Sequence, residues 1–292
     1  MPIMDVLVAE YASCGGAGAG HLLAEGQAVL YAFKGSFARA GHRVEVPLDI
    51  TAELAGMASR CDAGLLVAPD HLLADLTEVL EAGCENLGSP PEAVRLAADK
   101  LRCAERLRLA EVATSLDAPS GGQWVIKPRR GCGSEGVRCS ASPDVGIAEV
   151  AEPYVQGEHL SVCLVASRSR ALPVCLNRQQ ISIDGRLRYL GGLVNVGHPR
   201  RPECLDAARR AVEAVGLRGP CGVDIVLADR PYVVDVNPRA TTSFVGLAPL
   251  LPVELAQLVV RAREDDLPGS VDVRGSAGFT LDGLPAVEVR LR

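Results

Sequence analysis

The predicted strands and helices change their order part-way along this chain of 292 residues, and that change limits the fold more than any other feature. Up to residue 88, strand-like apolar runs at about 6–9, 43–46 and 64–68 alternate with helical patterns at about 21–40 and 72–82. Strands separated by helices of this length indicate βαβ units and a parallel sheet. We therefore expect an N-terminal βα domain at residues 1–88.

From about residue 123 the pattern changes to successive strands. They are predicted at 123–127, 159–165, 172–183, 222–227 and 232–236, with helices at about 202–215 and 253–264 and two short strands after residue 271. A linking helix is predicted between the two regions, capped by Ser89 and running through Lys100 to about residue 112. The expected fold class is α/β (α+β).

Composition and charge argue against several classes of protein. The net charge is −6 and no basic stripe follows the chain, which is unlike a nucleic-acid-binding protein. No apolar run approaches the roughly 20 residues that cross a bilayer, and the N-terminus does not resemble a signal peptide. The ten cysteines stand singly, without the CxxC pairs typical of zinc sites. We expect a cytoplasmic protein with no nucleic-acid or membrane partner.

Lysine is rare in this chain, which makes each lysine a candidate functional residue. Of 30 basic residues only Lys34, Lys100 and Lys127 are lysines. A compact ammonium on a flexible stem can meet a phosphate in a tight site where the wider guanidinium of arginine does not fit. Lys34 lies on a predicted exposed helix position and is interpreted as an ordinary surface residue.

A glycine-rich segment follows the strand that ends at Lys127. Gly131, Gly133 and Gly136, with Ser134 among them, let the backbone bend towards a ligand and direct its N–H groups at anionic oxygens. Such a loop is a weak signal by itself, and it matches neither the GxxxxGK[ST] nor the GxGxxG pattern. The combination of strand, lysine and glycine loop favours a nucleotide site.

Two glutamates flank a short apolar hinge at residues 152–158. Val155 and the hinge backbone could hold an adenine beside Glu152, while Glu158 takes the ribose hydroxyls. Taken alone, two solvated glutamates beside a turn are the simpler interpretation.

Carboxylates recur on two adjacent predicted strands. Asp224 lies in the first strand, and Asp235 and Asn237 lie two residues apart at the end of the second. In a hairpin Asp224 can face Asp235, and residues two apart point to the same side. Such oxygens repel one another unless a cation lies between them, and oxygen ligands suit Mg²⁺. The alternative is that Asp235 and Asn237 merely end a strand and cap a turn.

Taken in order, these motifs resemble the ATP-grasp superfamily over about residues 89–265. The resemblance implies an ATP-grasp fold, with the N-terminal βα domain followed by a helical linker and lid subdomain at 89–155 and a C-terminal subdomain with the metal site at 156–292. Two α+β subdomains would then enclose ATP. Two positions depart from the pattern, since Asp235 stands where glutamate is commoner and Arg130 stands where lid loops often carry aspartate.

The resemblance also implies a role for each motif. Lys100 and Lys127 would contact the α- and β-phosphates, and the glycine loop would close over the triphosphate as a lid. The hinge residues Glu152 and Val155 would line the adenine pocket, with Glu158 on the ribose. The three hairpin oxygens would hold Mg²⁺, or alternatively Mn²⁺, and Arg239 would stabilise the reacting groups.

Several local phrases are similar to one branch, the tyramine–L-glutamate ligases of methanofuran biosynthesis. They include residues 8–11, 23–26, 176–181, 189–192 and 237–243. That branch implies an ATP-dependent ligase that joins a small-molecule carboxylate to an amine through an acyl phosphate. Arg239, with Arg178 as a second candidate, would stabilise the oxyanion, and Thr241, Thr242 and Ser243 would touch the substrates, although an ordinary polar turn explains these three equally well.

Other functions remain open at this point. They are a ligase for another amino-acid or peptide pair, an ATP-dependent phosphotransferase and a non-catalytic nucleotide-binding protein. A homodimer is a further arrangement that the ATP-grasp resemblance allows.

Overall fold

The computed structural model describes residues 2–131, 135–184, 186–281 and 288–291. Within them the strands form three sheets, of four, three and seven strands. The sheets follow one another along the chain, so that each is built from a continuous part of the sequence. Parallel pairing at the start and antiparallel pairing afterwards confirm the predicted change of pattern.

The first sheet is parallel and has the order β2-β1-β3-β4. Its strands are β1 (Asp5–Glu10), β2 (Arg43–Glu45), β3 (Ala63–Val67) and β4 (Glu85–Asn86). The helices between them are α1 (Leu23–Arg39), α2 (Ile50–Ala58) and α3 (Asp70–Glu81). Helix α2 was not predicted, although Asp49 is a sequence signal for it: its carboxylate accepts hydrogen bonds from the backbone of Thr51 and Ala52.

The linking helix is two helices, α4 (Pro91–Ala98) and α5 (Lys100–Leu109), so the prediction of one helix was wrong. Asp99 breaks it, because its backbone is extended (φ −95°, ψ 96°) and its carboxylate caps α5 by accepting from Arg102 N. Ser89 does not cap α4; its hydroxyl donates to the carbonyl of Arg218 at 2.9 Å. The break places Lys100 at the first position of α5.

The second sheet is small and antiparallel. Its strands, in the order β6-β5-β7, are β5 (Trp124–Pro128), β6 (Arg138–Ser140) and β7 (Glu149–Pro153). Strands β5 and β7 place Lys127 opposite Val150 and Val125 opposite Glu152. The glycine-rich segment therefore connects β5 to β6 at one edge of this sheet.

The third sheet is antiparallel and has the order β12-β11-β8-β9-β10-β13-β14. Its strands are β8 (Glu158–Ala166), β9 (Ala171–Ile183), β10 (Leu187–Val194), β11 (Gly219–Leu227), β12 (Pro231–Asn237), β13 (Ala277–Thr280) and β14 (Glu288–Leu291). The remaining helices are α6 (Arg201–Val215), α7 (Ser243–Leu247) and α8 (Leu255–Arg263). Asp224 lies opposite Asp235, as the hairpin pattern predicts.

The largest apolar core joins the first sheet to the third. Phe33 of α1 lies 5.8 Å from Phe244 of α7 between ring centroids, and both are fully buried. The hydroxyl of Ser36 and the guanidinium of Arg39 both donate to Glu254. Burial of such large rings is the main stabilising contribution here, and it fixes α1 and α3 beside the third sheet.

No single helix in the described ranges is long and apolar enough to cross a bilayer. One pair passes that test of length and composition together, 243–250 with 255–263, and the two segments are bent by 102°.

Candidate active site

One cavity of about 220 Å³ collects most of the predicted site residues. It lies between the second and third sheets and reaches the N-terminal part of the chain at one end. The predicted residues that line it are Lys100, Lys127, Gly131, Glu152, Val155, Asp224, Asp235, Asn237, Arg239, Thr241, Thr242 and Ser243. The sequence motifs, separated along the chain, therefore share one surface.

Lys100 is largely buried and is paired with the metal-site candidate Asp235. Its ammonium donates to Asp235 Oδ1 at 2.8 Å, and the lysine side chain is 10% exposed. Burial favours loss of the lysine proton, but the adjacent carboxylate outweighs burial and holds the pKa of Lys100 above its usual value. The backbone N–H of Lys100 donates to the carbonyl of Arg129, so this lysine is tied to the base of the glycine loop.

Lys127 is held by a second buried carboxylate. Its ammonium donates to Glu152 Oε2 at 2.7 Å and to the carbonyl of Val234 at 2.9 Å. The hydroxyl of Ser115 also donates to Glu152. The carboxylate of Glu152 thus has two partners, and both lysines line the same cavity, Lys100 from α5 and Lys127 from β5.

The acidic hairpin carries two carboxylates of different character. Burial, followed by the charge of Asp235, raises the pKa of Asp224 to about 7. Burial would also raise the pKa of Asp235, but the ammonium groups of Lys100 and Lys127 lower it. Gln179 Nε2 donates to Asp224 Oδ1 at 3.0 Å, and the Asn237 side chain is hydrogen-bonded to Asp224. Asp224 is therefore hydrogen-bonded to two neutral amide side chains, whereas Asp235 is paired with the Lys100 ammonium.

These oxygens fit a hard divalent cation by their chemistry. Two carboxylates and an amide oxygen are ligands that Mg²⁺ accepts, and a cation between the carboxylates would allow both to be ionised. In the part of the chain that the structure describes, no three or more His, Cys, Asp or Glu side chains form a metal cluster. Two aspartates and Asn237 are the protein donors that this hairpin offers, and phosphate oxygens or water would have to complete the coordination of Mg²⁺.

At its other end the cavity is lined by Glu25 of the N-terminal part of the chain, and Asp70 of the same part contacts the cavity residue Arg239. Asp70, at the start of α3, accepts from Arg239 Nε at 2.9 Å and is 4% exposed. The hydroxyl of Thr242 donates to Glu25 Oε2 at 2.6 Å. Sequence reasoning assigned no role to Asp70 or Glu25, because nothing in their local sequence shows what lies opposite them.

Three of the cavity residues that were not predicted carry polar groups which bear on the site. They are His159, Gln179 and Tyr189. Burial lowers the pKa of His159 and raises that of Tyr189, whose side chain is hydrogen-bonded to Ser243. The sequence signal for His159 and Gln179 is the alternation of side chains between the two faces of a strand. Residues 159 of β8 and 179 and 181 of β9 share the face that lines the cavity.

Comparison with known families identifies this arrangement. A family model described as "ATP-grasp domain" matches residues 97–243, half of the chain. The chain belongs to the ATP-grasp family. The predicted superfamily resemblance and fold class are thereby confirmed.

Two relatives carry a specific name. A tyramine–L-glutamate ligase from Methanocaldococcus fervens is 30% identical over 218 residues, which are 73% of this chain and 70% of the relative. One from Methanocaldococcus jannaschii is 30% identical over 227 residues, which are 76% of this chain and 68% of the relative. Together with the family, these relatives show that this ATP-grasp protein is an enzyme, an ATP-dependent carboxylate–amine ligase that forms a C–N bond.

Solved structures agree on the ATP-grasp fold. An ATP-grasp superfamily protein from Archaeoglobus fulgidus has a TM-score of 0.81 at 27% identity, with 99% of this chain and 98% of that chain covered. An L-amino acid ligase from Bacillus licheniformis has a TM-score of 0.71 at 15% identity, with 98% and 82% covered. The second likeness concerns the fold alone.

Two of the predicted charged residues of this ATP-grasp site do not line the cavity. Arg178 and Glu158 lie on the opposite face of the third sheet, where Arg178 Nη2 and Glu158 Oε2 are 3.2 Å apart and His198 lies 3.3 Å from the same carboxylate. The reason is strand alternation, because Gln179 and His159 take the cavity face instead. The structure thus places Arg178 and Glu158 outside the cavity lining, and their roles beside the reacting groups and at the ribose stay predictions.

The glycine-rich loop is described only in part by the structure. Gly133 and Ser134 lie outside the described residues, and Gly136 does not line the cavity. Gly136 has φ +71°, a left-handed conformation that favours glycine. The basic residue Arg130 lies 3.7 Å from Asp99, and Arg129 Nε donates to the same carboxylate at 2.8 Å. Asp99 therefore joins the base of the loop to the first turn of α5.

Proposed function

We propose that this ligase joins the side-chain carboxylate of L-glutamate to the amine of tyramine, with ATP converted to ADP and phosphate. The product would be γ-glutamyltyramine. The observation that carries the proposal is the single cavity that combines two lysines, an acidic hairpin and the polar loop 241–243. The names of two relatives at 30% identity support the choice of substrates.

The nucleotide occupies the part of the cavity nearest the second sheet in this proposal. Lys100 and Lys127 bind the phosphates. To do so, their ammonium groups exchange their present carboxylate partners for phosphate oxygens. Glu152 and Val155 line the adenine pocket, and the loop that begins at Gly131 covers the triphosphate. Covering the site matters because water would hydrolyse a reactive acyl phosphate.

Asp224, Asp235 and Asn237 are the proposed ligands of Mg²⁺, with Mn²⁺ as the alternative. Such a cation would neutralise phosphate charge and so lower the barrier to phosphoryl transfer. The protein's own contribution is to keep two acidic side chains beside the phosphate-binding lysines. The hairpin register, with residue 224 opposite residue 235, provides that placement.

The proposed chemistry has two steps. A carboxylate oxygen of glutamate attacks the γ-phosphorus in line, the bond to the β-phosphate oxygen breaks, and ADP leaves. The amine nitrogen of tyramine then attacks the acyl carbon, loses a proton, and expels inorganic phosphate. Arg239, held by Asp70, is the proposed cation for the oxyanion of the tetrahedral intermediate. Thr241, Thr242 and Ser243 contact the substrates.

A matrix of carboxylates and amines, scored for ADP release and for product mass, tests this function. We expect glutamate with tyramine to give the largest ADP release, dependent on both substrates. Release with a different pair would contradict the named substrates and leave the ligase chemistry standing. A stable phosphorylated product formed without amine would indicate a phosphotransferase instead.

Isotope transfer tests the acyl phosphate separately. With ¹⁸O in the side-chain carboxylate of glutamate, the two-step route places one labelled oxygen in inorganic phosphate. Phosphate without label would contradict the intermediate. Unchanged ATP turnover in both Asp224→Asn and Lys127→Ala would contradict the assignment of the cavity as the catalytic site.

A further inference from the structure

Glu25 is an acidic side chain that helix α1 contributes to the catalytic cavity. It lies in the first turn of α1, is partly buried, and lines the cavity next to Thr242. The hydroxyl of Thr242 donates to Glu25 Oε2 at 2.6 Å, which fixes the orientation of the carboxylate. Arg239 stands three residues before Thr242 on the loop that follows β12, so a cation and an anion share this end of the cavity.

Glu25 differs from two of the other cavity acids, Glu152 and Asp235, in how its charge is compensated. Glu152 is paired with Lys127, and Asp235 is paired with Lys100. Among the side chains that the structure describes, which do not include that of His21, no Lys, Arg or His is ion-paired with Glu25 and none donates to its Oε1. A partly buried carboxylate with one neutral donor is costly unless a cation joins it when the site is occupied.

A nearby carboxylate does not supply an alternative site. Glu10 accepts from both the backbone N–H and the hydroxyl of Ser13, at 2.8 and 2.7 Å, and is buried. It lies against α1 so closely that a Cβ on Gly26 would stand 2.1 Å from Glu10 Oε2. Glu10 therefore faces the helix and not the cavity.

We infer that Glu25, oriented by Thr242, binds a primary ammonium group of a substrate at the end of the cavity remote from the adenine pocket. An ammonium offers three donors and a positive charge, which match the open Oε1 and the uncompensated carboxylate. The inference rests on the proposed function, which supplies two sources of such a group. One is the amine that becomes acylated, and the other is the α-ammonium of the amino acid.

Steady-state kinetics of Glu25→Gln tests the site and separates the two sources. The change removes the charge and keeps an oxygen for Thr242. We expect the KM for one ammonium-bearing substrate to rise about 10- to 100-fold, as for a lost charged hydrogen bond, and the KM for ATP to change less than about twofold. Tyramine, L-glutamate and glutarate, which lacks the α-ammonium, are the probes.

Each source predicts a different pattern. If the α-ammonium binds Glu25, the KM for L-glutamate rises and the preference for glutamate over glutarate disappears. If the acceptor amine binds Glu25, the KM for tyramine rises and that preference stays. Unchanged KM values for both substrates, or an equal rise for ATP, would overturn the inference.

Glu92→Gln is the matched control, because Glu92 is exposed on α4 outside the cavity and the charge change is the same. We expect wild-type kinetics from it. Glu25→Asp keeps the charge and should retain more affinity than Glu25→Gln. If Glu25→Gln lowers the melting temperature, Thr242→Val replaces it, with a rise of about three- to tenfold in the same KM.

The two proposals fail in distinguishable ways. A wild-type chain that releases no ADP with any pair contradicts the proposed function. The ammonium site is then judged by calorimetric titration of L-glutamate and of tyramine, and equal affinities in wild type and Glu25→Gln overturn it.

Discussion

The two ends of the cavity differ in how their charges are compensated. At the nucleotide end each lysine already contacts a carboxylate, Lys100 with Asp235 and Lys127 with Glu152. At the substrate end Arg239 contacts Asp70, but Glu25 contacts only a hydroxyl within the described residues. The nucleotide end must therefore exchange existing ion pairs for new ones, whereas Glu25 can accept a charged substrate directly.

The substrate end also includes residues from a part of the chain that contributes none of the predicted nucleotide-end residues. Every predicted nucleotide-end residue lies within residues 97–243, the segment that the ATP-grasp family model matches. Glu25 and Asp70 lie outside that segment; Glu25 lines the cavity, and Asp70 accepts a hydrogen bond from the cavity residue Arg239. The predicted nucleotide end thus lies within the matched segment, whereas the proposed substrate end combines Arg239 of that segment with Glu25 and Asp70 of the N-terminal part.

The largest expected effect lies at the nucleotide end. Asp235→Asn removes a proposed metal ligand and leaves the Lys100 ammonium without its charged partner. We expect ADP release at saturating substrates to fall about 1,000-fold, the effect of losing several kcal/mol of charge stabilisation. Asp229→Asn is the control, because Asp229 is exposed in the turn of the same hairpin, and it should keep wild-type turnover. A fall in ADP release of less than tenfold in Asp235→Asn would indicate that the hairpin takes no part in the chemistry.

A second test uses the scarcity of lysine. Lys127→Met removes a phosphate-binding candidate, and we expect the KM for ATP to rise about 10- to 100-fold, the range for a charged hydrogen bond. Lys34→Met is the matched control, because Lys34 is exposed on α1. Titration of ATP at fixed glutamate and tyramine measures both. Similar KM values for ATP in the two variants would contradict the assignment of Lys127 to the nucleotide end.

The nucleotide end could be predicted from sequence because its signals are local. A lysine followed by glycines is continuous in the chain, and a short hairpin places Asp224 opposite Asp235 with little freedom. The substrate end has no local signal. Thr242 and Glu25 are 217 residues apart in sequence, and Arg239 and Asp70 are 169 apart. Only the packing of the first sheet against the third brings them together.

Two differences between the predicted and the observed arrangement have definite physical causes. The linking helix was predicted as continuous because residues 91–109 all suit a helix, yet Asp99 prefers to cap α5 and to bind Arg129. Arg178 was chosen for its charge, but the period of two along a strand leaves the facing side undetermined until the register is known. The register assigns that side to Gln179.

A smaller effect is expected at the substrate end from Asp70→Asn. Asp70 positions Arg239 without contacting the proposed nucleotide, so kcat should fall about tenfold, the loss of one charged hydrogen bond, while the KM for ATP changes little. Asp70→Glu, which restores the charge, should recover part of kcat. Asp75→Asn on the same helix, paired with Arg95 at the surface, is the control. A rise in the KM for ATP as large as the fall in kcat would place Asp70 at the nucleotide end instead.

The smallest expected effect comes from a residue that belongs to neither end. Arg178 and Glu158 are 52% and 50% exposed, and an exposed ion pair contributes little, so Arg178→Ala should change ADP release by less than about threefold. The adjacent variant Gln179→Leu removes the donor to Asp224 and should reduce turnover about tenfold. The two residues occupy successive positions of one strand, so the pair of variants compares the two faces of the sheet directly. A large loss in Arg178→Ala with little change in Gln179→Leu would reverse that assignment and move the oxyanion cation away from Arg239.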